Sequence, residues 1–322
     1  MKLCVFGAGA VGGHLAAKLA ASGHDVSVVA RGAHLAALQQ HGVKLLHGER
    51  TIAARVRAAP RAAELGPQDA VLVTLKANML DAFAGQCAPL LRPDTAVVFI
   101  QNGIPWWYDE RLTRLDPNGK LNSSIKRKHL LGGVAYSANE VIEPGVIENH
   151  VPGNNMIVIG EVDHRQTPRV AALRAALEAA DVSSPATEDI RQSIWSKLAQ
   201  ILGNSTVCTL TGATVAQARG HPEAGKLLRT AGEEVRAIAR ALGIDLEKAP
   251  QRPGGGHSSS AAAHKPSMLQ DYERGRPMEI EAQLKAPLEL ARAARVATPT
   301  LDALVALTAY KAAAKGLYVG IE

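Results

Sequence analysis

Residues 1–31 read MKLCVFGAGAVGGHLAAKLAASGHDVSVVAR, and this stretch decides the fold. The apolar run from Leu3 to Phe6 has the length of a buried strand, and an alanine-rich helical pattern follows it. A turn at residues 22–24 leads into a second apolar strand, Val26 to Ala30. A strand, a helix and a second strand within about thirty residues form the βαβ pattern of an α/β protein.

Three glycines separate the first strand from the helix, with the spacing G-x-G-x-x-G. The first glycine permits a tight turn, the second lets a pyrophosphate approach the backbone, and the third lets the helix pack closely on the strand. The phosphates then lie at the helix N-terminus, where unpaired N–H groups and the helix dipole favour anions. The sequence therefore predicts a dinucleotide-binding loop made of Gly7, Ala8, Gly9, Ala10, Val11 and Gly12.

The residue after the second predicted strand is Arg31. Proteins that bind NAD usually have Asp or Glu at this point, which binds the ribose 2′-hydroxyl. An arginine suits a 2′-phosphate instead, because its guanidinium is planar and always charged. We therefore expect NADP(H) as the cofactor, and a solvent-exposed surface arginine is the alternative interpretation.

Length and composition describe a globular protein of two domains. The chain has 322 residues, too many for one small core, and 47% of them are hydrophobic. The net charge of +6 is modest, and the densest basic run, residues 126–129, lacks the interleaved aromatics of a nucleic-acid surface. We expect no nucleic-acid partner, because a phosphorylated cofactor and an acidic substrate account for the basic charge.

Cysteine usage and hydropathy indicate where the protein works. Cys4, Cys87 and Cys208 have neither the spacing of a metal site nor that of a disulfide framework. They predict buried thiols in a reducing compartment, and the eleven histidines show no metal-ligand spacing either. No apolar run approaches the roughly eighteen residues of a membrane span, so no membrane association is expected. A cytoplasmic location is the resulting expectation.

Two further strands are predicted to end beside functional residues. The unalternating apolar run from Ala70 to Leu75 is typical of a parallel strand buried on both faces, and Lys76 follows it. A strand from Thr95 to Ile100 is followed closely by Asn102. Ligands of open α/β sheets bind just outside the carboxyl ends of the strands, so Lys76 and Asn102 are candidate site residues. The aromatics at 106–108 form either a cleft wall or a hydrophobic cluster.

The remaining pattern predicts a change of architecture near residue 186. Strands and helices alternate up to that point, and helical periodicity dominates after it. We therefore expect one domain over residues 1–186 and a helical domain over residues 187–322, with a loop at Pro253 to Ala263. The other predicted elements are helices at 33–40, 79–91 and 168–180, strands at 43–46, 51–56, 131–136, 145–149 and 156–161, and a polar loop at 115–127.

Lys197 lies on an apolar face of a predicted helix. Apolar residues recur with helical spacing over residues 188–205, and Lys197 shares the face of Ile194 and Ile201. An ammonium group there is costly unless it is paired or lines a cleft, and desolvation can turn a lysine into a proton donor near neutral pH. A lysine whose stem packs while its ammonium reaches water explains the pattern equally well. Periodicity alone leaves both interpretations open.

Composition alone assigns no functional role to the residues of two later segments. Ser267 opens a predicted helix and suits a helix cap. Asp271, Glu279 and Glu281 suit ordinary surface acids.

Six motifs in one order resemble the ketopantoate reductases (2-dehydropantoate 2-reductases). The resemblance covers essentially the whole chain and implies an N-terminal Rossmann-type domain with a mostly parallel sheet, an all-α C-terminal domain and an active site in the cleft between them. It further implies NADPH-dependent reduction of a 2-oxo acid to a 2-hydroxy acid, and it admits a homodimer. The motifs are the glycine loop, LKAN at 75–78, QNG at 101–103, WSKLA at 195–199, KPSMLQD at 265–271 and GRPMEIE at 275–281.

The resemblance also implies roles for single residues. Lys197 matches the family's catalytic lysine, which protonates the developing alkoxide. Lys76 and Asn102 match cleft residues near the cofactor and the substrate. Ser267 matches a substrate-contacting serine, and Glu279 matches a glutamate associated with cofactor binding.

Four positions depart from the family pattern, and one of them is Lys285, where a glycine is expected. Substrate-binding asparagines are expected where this chain has Ile201, Ser205 and Val215. Asn204 lies on nearly the same helix face as Lys197 and can take the place of one of them. Asn204 and Ser205 therefore complete the predicted substrate site.

Three hypotheses about function follow. The leading one is reduction of 2-dehydropantoate to pantoate, a step of pantothenate biosynthesis. The second keeps the fold and the cofactor but uses a different carbonyl substrate, which Ile201 and Val215 favour. The third is a non-catalytic NADP-binding protein, which the loss of the asparagines favours and the retention of Lys197 disfavours.

Overall fold

A computed structural model describes residues 1–252 and 265–320, and these divide into two compact units. The first unit comprises Met1–Gln101, Asn118–Ile190 and residues 250–252, and the second comprises Asn102–Pro117, Arg191–Ala249 and residues 265–320. The short segment Asn102–Pro117 thus belongs with the helical unit. The boundary at residue 186 stays a prediction, and the low-complexity stretch Pro253 to Ala263 lies outside the described residues.

The first unit is built on two sheets. The larger sheet has the strand order β11-β8-β7-β6-β1-β2-β5, and the smaller has the order β4-β3-β10-β9. The strands are β1 (Lys2–Phe6), β2 (Asp25–Val29), β3 (Val43–His47), β4 (Arg50–Ala54), β5 (Arg57–Ala59), β6 (Ala70–Val73), β7 (Ala96–Ile100), β8 (Leu130–Tyr136), β9 (Asn139–Glu143), β10 (Val146–Asn149) and β11 (Met156–Glu161).

The larger sheet confirms the mostly parallel architecture. Every neighbouring pair in it is parallel except β11 and β8, which are antiparallel. All residues of β6, β7, β8 and β11 are buried, which explains why their sequences are apolar without alternation. The smaller sheet contains the strands predicted at 43–46 and 51–56, which pair in antiparallel fashion as β3 and β4. Strand β9 was not predicted, because its sequence is polar and largely exposed.

The helices explain where the other predictions succeed and fail. The helices predicted at 33–40 and 168–180 are confirmed, but the one predicted at 79–91 is wrong, since Gly85 and Pro89 break it into short turns. The polar loop predicted at 115–127 contains a short helix. The helices are α1 (Ala10–Ala21), α2 (Gly32–His41), α3 (Asp81–Ala84), α4 (Lys120–Ser124), α5 (Pro168–Ala179), α6 (Ile190–Thr211), α7 (Val215–Gly220), α8 (Pro222–Ala241), α9 (Ser267–Glu273), α10 (Ala286–Ala293) and α11 (Pro299–Ala314).

The second unit is helical in its described part. A π-helical turn, Glu281–Lys285, leads directly into α10. Among the described residues, no helix combines the length and the apolar character that crossing a membrane requires.

Titratable side chains on α1 and β3 are buried together in the first unit. Lys18 Nζ donates a hydrogen bond of 2.7 Å to Asp181 Oδ2 and lies 3.5 Å from His47 Nε2. His14 is 1% exposed, and neither ring nitrogen has a hydrogen-bond partner among the described residues. Burial, with the nearby charge of Lys18 and with His47, lowers the pKa of His14 to about 3, while Asp181 opposes the shift. This imidazole is therefore neutral in the folded protein.

We expect acid to destabilise the fold through His14. Because an unfolded histidine titrates near pH 6.5, the unfolded chain binds a proton below that pH that the folded chain does not bind. The free energy of unfolding then falls as the pH drops from about 6.5 towards 3, by up to about 1.4 kcal/mol per pH unit. Urea denaturation from pH 7 to pH 4 should show a shallower slope for His14→Leu than for the unaltered protein. His41→Leu, at an exposed site, is the control; equal slopes in all three proteins would contradict the prediction.

Candidate functional site

The glycine loop between β1 and α1 has the geometry that its spacing predicts. Gly7 has a φ of +107°, which favours glycine, and its carbonyl accepts a 2.6 Å hydrogen bond from Thr74 Oγ1. A Cβ on Gly12 would collide with the Gly7 carbonyl oxygen and would lie 2.5 Å from Thr74 Oγ1. A Cβ on Gly9 would meet no atom of the described residues within 4 Å. Gly12 is thus needed for packing, while Gly9 leaves the backbone open to a ligand.

The N-terminus of α1 suits an anion. Gly9 is its N-cap residue, and no side chain caps the first turn, which also has no acidic residue. Ala8 is buried, and Ala10 and Val11 are half-buried behind the open position of Gly9. Backbone N–H groups at such a terminus are available to a phosphate group. The loop therefore fits the pyrophosphate of a dinucleotide.

Arg31 and Lys76 follow the carboxyl ends of β2 and β6. Arg31 is exposed, begins α2 as its N-cap residue, and its side chain has no hydrogen-bond or ion-pair partner among the described residues. Lys76 is half-buried and begins a short 3-10 turn. Sequence reasoning missed Gln101, whose Nε2 donates to the carbonyls of Val73 (2.9 Å) and Leu75 (3.3 Å). Gln101 thus ties the ends of β6 and β7 together, and its position directly after a strand was the available signal.

Lys197 and Asn102 form a hydrogen-bonded pair within the second unit. Lys197 is half-buried on α6, and its Nζ donates a 2.6 Å hydrogen bond to Asn102 Oδ1. Periodicity left open whether this lysine is paired or only extends to water, and the structure shows it paired. A neutral amide oxygen orients the ammonium without neutralising its charge.

The segment after Asn102 is fixed by the rest of the second unit. Gly103 has a φ of +90°, and a Cβ there would collide with the carbonyl of Ala282 in the π-helical turn. The same carbonyl accepts a 2.8 Å hydrogen bond from Ile104 N. At the other end of the segment, Trp195 Nε1 of α6 donates a 2.7 Å hydrogen bond to Tyr108 Oη. Asn102 is therefore held at a defined place relative to Lys197.

The aromatic run at 106–108 is largely a hydrophobic cluster. Trp106 and Trp107 are 8% and 6% exposed, and the Trp107 and Tyr108 rings lie 6.4 Å apart. Of the two interpretations that the sequence left open, the buried indole rings support the cluster.

Replacing Gly103 with alanine is expected to lower kcat by about tenfold to a hundredfold, because the new methyl group displaces the backbone that carries Asn102. Gly275→Ala is a matched control, since Gly275 also has a positive φ (+63°) but has no described atom within 4 Å of an added Cβ. Steady-state kinetics of both variants would check this. A Gly103→Ala enzyme no slower than Gly275→Ala would show that the placement of Asn102 is unimportant.

Four other candidate residues lie in varied environments. Asn204 Nδ2 donates a 2.6 Å hydrogen bond to the Gln200 carbonyl of its own helix, and Ser205 is 3% exposed. Ser267 is exposed as the first residue of α9 but makes no capping bond, so its interpretation as a helix cap is wrong. Glu279 is 8% exposed and accepts a 3.0 Å hydrogen bond from Gln283 Nε2. The interpretation of Glu279 as a surface acid is therefore wrong.

Asp271 and Glu281 also differ from the surface acids that composition suggested. Asp271 is only 7% exposed. Glu281 lies in the π-helical turn, where Arg114 Nη1 donates a 2.5 Å hydrogen bond to its carboxylate. Helical propensity and composition carry no signal for such pairing across the chain.

The glycine loop after the first strand of a mostly parallel sheet defines a Rossmann-type dinucleotide-binding unit, and the lysine–asparagine pair lies in the helical unit. Family models described as "Ketopantoate reductase PanE/ApbA" and "Ketopantoate reductase PanE/ApbA C terminal" match residues 3–164 and 189–312. The chain belongs to the ketopantoate reductase family.

Individual relatives agree with this membership. A 2-dehydropantoate 2-reductase of Mesorhizobium japonicum is 42% identical over 99% of this chain and 100% of its own length. A crystal structure from Ralstonia solanacearum MolK2, provisionally named a ketopantoate reductase, is 35% identical with a TM-score of 0.87 and covers 98% of this chain and 99% of its own. The structure of 2-dehydropantoate 2-reductase from Geobacter metallireducens GS-15 is 27% identical with a TM-score of 0.82, and the match covers 96% of this chain and 99% of its own.

Proposed function

We propose that this chain reduces 2-dehydropantoate to pantoate with NADPH as the hydride donor. The observation that carries the proposal is the 2.6 Å hydrogen bond between Lys197 Nζ and Asn102 Oδ1 in a chain of this family. A carbonyl that accepts a hydride becomes an alkoxide and needs a proton, and an oriented ammonium group can donate one.

The glycine loop would hold the pyrophosphate of the cofactor, Arg31 its 2′-phosphate, and Lys76, Asn102 and Glu279 its remaining polar groups. The open position of Gly9 and the uncapped N-terminus of α1 support this assignment. When bound, the nicotinamide supplies the hydride. The chain's own contribution is to bind and orient the reactants and to deliver the proton.

Lys197 acts as the proton donor in this proposal. Asn102 Oδ1 accepts a hydrogen bond from the ammonium, which orients the group. The positive charge also stabilises the developing alkoxide before the proton moves. We assign substrate contacts to Lys76, Asn102, Asn204, Ser205 and Ser267, of which Asn204 must first release its bond to Gln200.

A different 2-oxo acid is the second candidate substrate. Ile201, half-buried on α6 one turn after Lys197, and Val215, 8% exposed at the start of α7, stand where the family pattern has asparagines. Apolar groups at such positions cannot pair with the hydroxyl of 2-dehydropantoate, and an unpaired polar group lowers selectivity strongly. This substitution favours a 2-oxo acid with a less polar side chain.

A panel of 2-oxo acids tests both candidates. The enzyme is mixed with NADPH and either 2-dehydropantoate or a straight, branched or aromatic 2-oxo acid, and the loss of NADPH absorbance gives kcat/KM. The highest kcat/KM for 2-dehydropantoate supports the proposal, whereas a preference for an apolar acid supports the second candidate. Tight NADPH binding without turnover of any acid would overturn both and indicate a non-catalytic binding protein.

Arg31→Ala is expected to weaken NADPH binding by about tenfold to a hundredfold, since charge-assisted hydrogen bonds to a phosphate contribute about 1.5–3 kcal/mol. The affinity for NADH, which lacks the 2′-phosphate, should change less than about twofold. Fluorescence titration of both nucleotides measures this difference. Arg55→Ala, which removes an exposed arginine elsewhere in the first unit, is the control. Equal affinities of the unaltered protein for NADH and NADPH would contradict a 2′-phosphate role for Arg31.

We also propose that the enzyme works in a reducing compartment, the cytoplasm. All three cysteines are free and buried. Burial raises the pKa of Cys4 to about 12 and that of Cys208 to about 11, so both stay protonated thiols at neutral pH. This state is the one expected of structural cysteines in a reducing environment.

A further inference from the structure

A groove of about 520 Å³ lies between α6 and α8 within the second unit. Its lining includes three arginines, Arg219, Arg229 and Arg236, and one carboxylate, Glu233. Buried glycines of both helices also line it. The volume is in the range of small-molecule sites, roughly 300–1,000 Å³. The proposed reaction uses one lining residue, Asn204, and gives the three arginines no role.

Two of the arginines lie against glycines one helical turn earlier. Arg229 Nη1 lies 3.5 Å from the place of a Cβ on Gly225, and Arg236 Nη1 lies 3.3 Å from that of a Cβ on Gly232. Helix side chains tilt towards the N-terminus, so a residue covers the one four positions before it. The repeated Gly-x-x-x-Arg spacing thus lets both guanidinium groups lie down along the groove. A larger residue at either glycine would push the arginine outwards.

The charge of these two arginines is not compensated among the described residues. Neither the Arg229 nor the Arg236 guanidinium has a hydrogen-bond or ion-pair partner in residues 1–252 and 265–320. Glu233 stands four residues after Arg229 and three before Arg236, a spacing that permits helical ion pairs, yet it pairs with neither. Arg219 adds a third positive charge to the lining. Guanidinium groups bind phosphate and carboxylate groups through charge-assisted hydrogen bonds.

The groove extends along α6 from the side opposite Lys197 to the edge of the face that carries this lysine. At about 100° per residue, Lys197, Ile201 and Ser205 share one face of the helix. Of the α6 residues that line the groove, Ala199 and Gly203 lie on the other side, whereas Gln200 and Asn204 lie towards Lys197. The arginines of α8 and the substrate assigned to Lys197 would therefore border the same residue, Asn204.

We propose that this groove binds a small, extended polyanion. Arg229 and Arg236 are seven residues apart on one helix, which corresponds to on the order of 10 Å. The ligand therefore carries at least two anionic groups, phosphates or carboxylates, separated by no more than about that length. Such a site gives the helical unit a second ligand besides the substrate, and the proposal stands independently of the reaction assigned to Lys197.

Isothermal titration calorimetry with tripolyphosphate tests the site in the full chain saturated with NADPH, at about 0.15 M salt. We expect one saturable site, with orthophosphate binding at least about tenfold more weakly because it reaches only one arginine at a time. The double variant Arg229→Gln/Arg236→Gln should bind tripolyphosphate at least about tenfold more weakly than the unaltered protein. Lys226→Gln, which removes an exposed charge on α8 outside the lining, should stay within about twofold.

Three results would overturn the proposal. One is the absence of saturable binding, and another is equal binding by the double variant and Lys226→Gln. The third is binding that appears only when NADPH is left out, which would place tripolyphosphate at the glycine loop. Arg229→Lys/Arg236→Lys keeps the charge and should retain most of the affinity, so a loss caused by misfolding is distinguished from a loss of charge.

Discussion

Replacing Lys197 with alanine is expected to lower kcat for 2-oxo acid reduction by about 10²- to 10⁴-fold, the usual contribution of a positioned acid. The affinity for NADPH should change less than about twofold, because the cofactor is assigned to the glycine loop and Arg31. The large loss of kcat is expected because the 2.6 Å hydrogen bond to Asn102 orients the Lys197 ammonium group as a proton donor. Single-turnover kinetics measure the chemical step, and fluorescence titration measures NADPH binding.

Further variants separate proton donation from positive charge and from positioning. Lys197→Arg keeps the charge but is a poor acid, so it should recover little of the rate. Asn102→Ala leaves the ammonium present but not aimed, and a smaller loss of about tenfold is expected. Lys226→Ala is the control for removing a lysine from an exposed helix face. A Lys197→Ala enzyme with unchanged kcat would refute the role of Lys197 as the acid.

The sequence was most informative where structure depends on neighbours along the chain. The strand, glycine loop, helix and second strand of residues 1–31 each follow from local spacing, and all are present at nearly the predicted bounds. The buried parallel strands were recognisable because both of their faces require apolar residues. Gly85 and Pro89 show the limit of this reasoning, since a composition suited to a helix did not outweigh two residues that break one.

The parts of the candidate site that sequence reasoning missed depend on distant contacts. The pairing of Lys197 with Asn102 joins residues 95 positions apart, and periodicity could only say that the lysine needs a partner. The contact of Gly103 with Ala282 also joins residues that are far apart in the sequence. The dipeptide Asn102-Gly103 by itself suggests only a turn. Glu279 is buried by tertiary packing as well, and the local sequence around it, which suits a surface acid, carries no information about that packing.

Gly9→Ala and Gly12→Ala should affect different properties, although both glycines lie in the same loop. Gly12→Ala should lower the stability of the fold, and Gly9→Ala should weaken the binding of NADPH. Gly12→Ala forces a methyl group against the Gly7 carbonyl and Thr74 Oγ1, and we expect it to lower the free energy of unfolding by about 3 kcal/mol or more. Gly9 has a φ of −66°, which alanine also adopts, and open space at its Cβ, so Gly9→Ala should cost less than about 1 kcal/mol.

For NADPH binding, Gly9→Ala is the informative variant. If the pyrophosphate occupies the space beside Gly9, the new methyl group removes that space, and the affinity should fall at least about a hundredfold in a protein that remains fully folded. Gly85→Ala is the control, because an added Cβ there lies at an ordinary 3.7 Å from the nearest atom. Urea denaturation and NADPH titration of the three variants measure both quantities. A folded Gly9→Ala protein that binds NADPH normally would place the pyrophosphate elsewhere, and a Gly12→Ala protein of unchanged stability would show that α1 can move away from β1 at little cost.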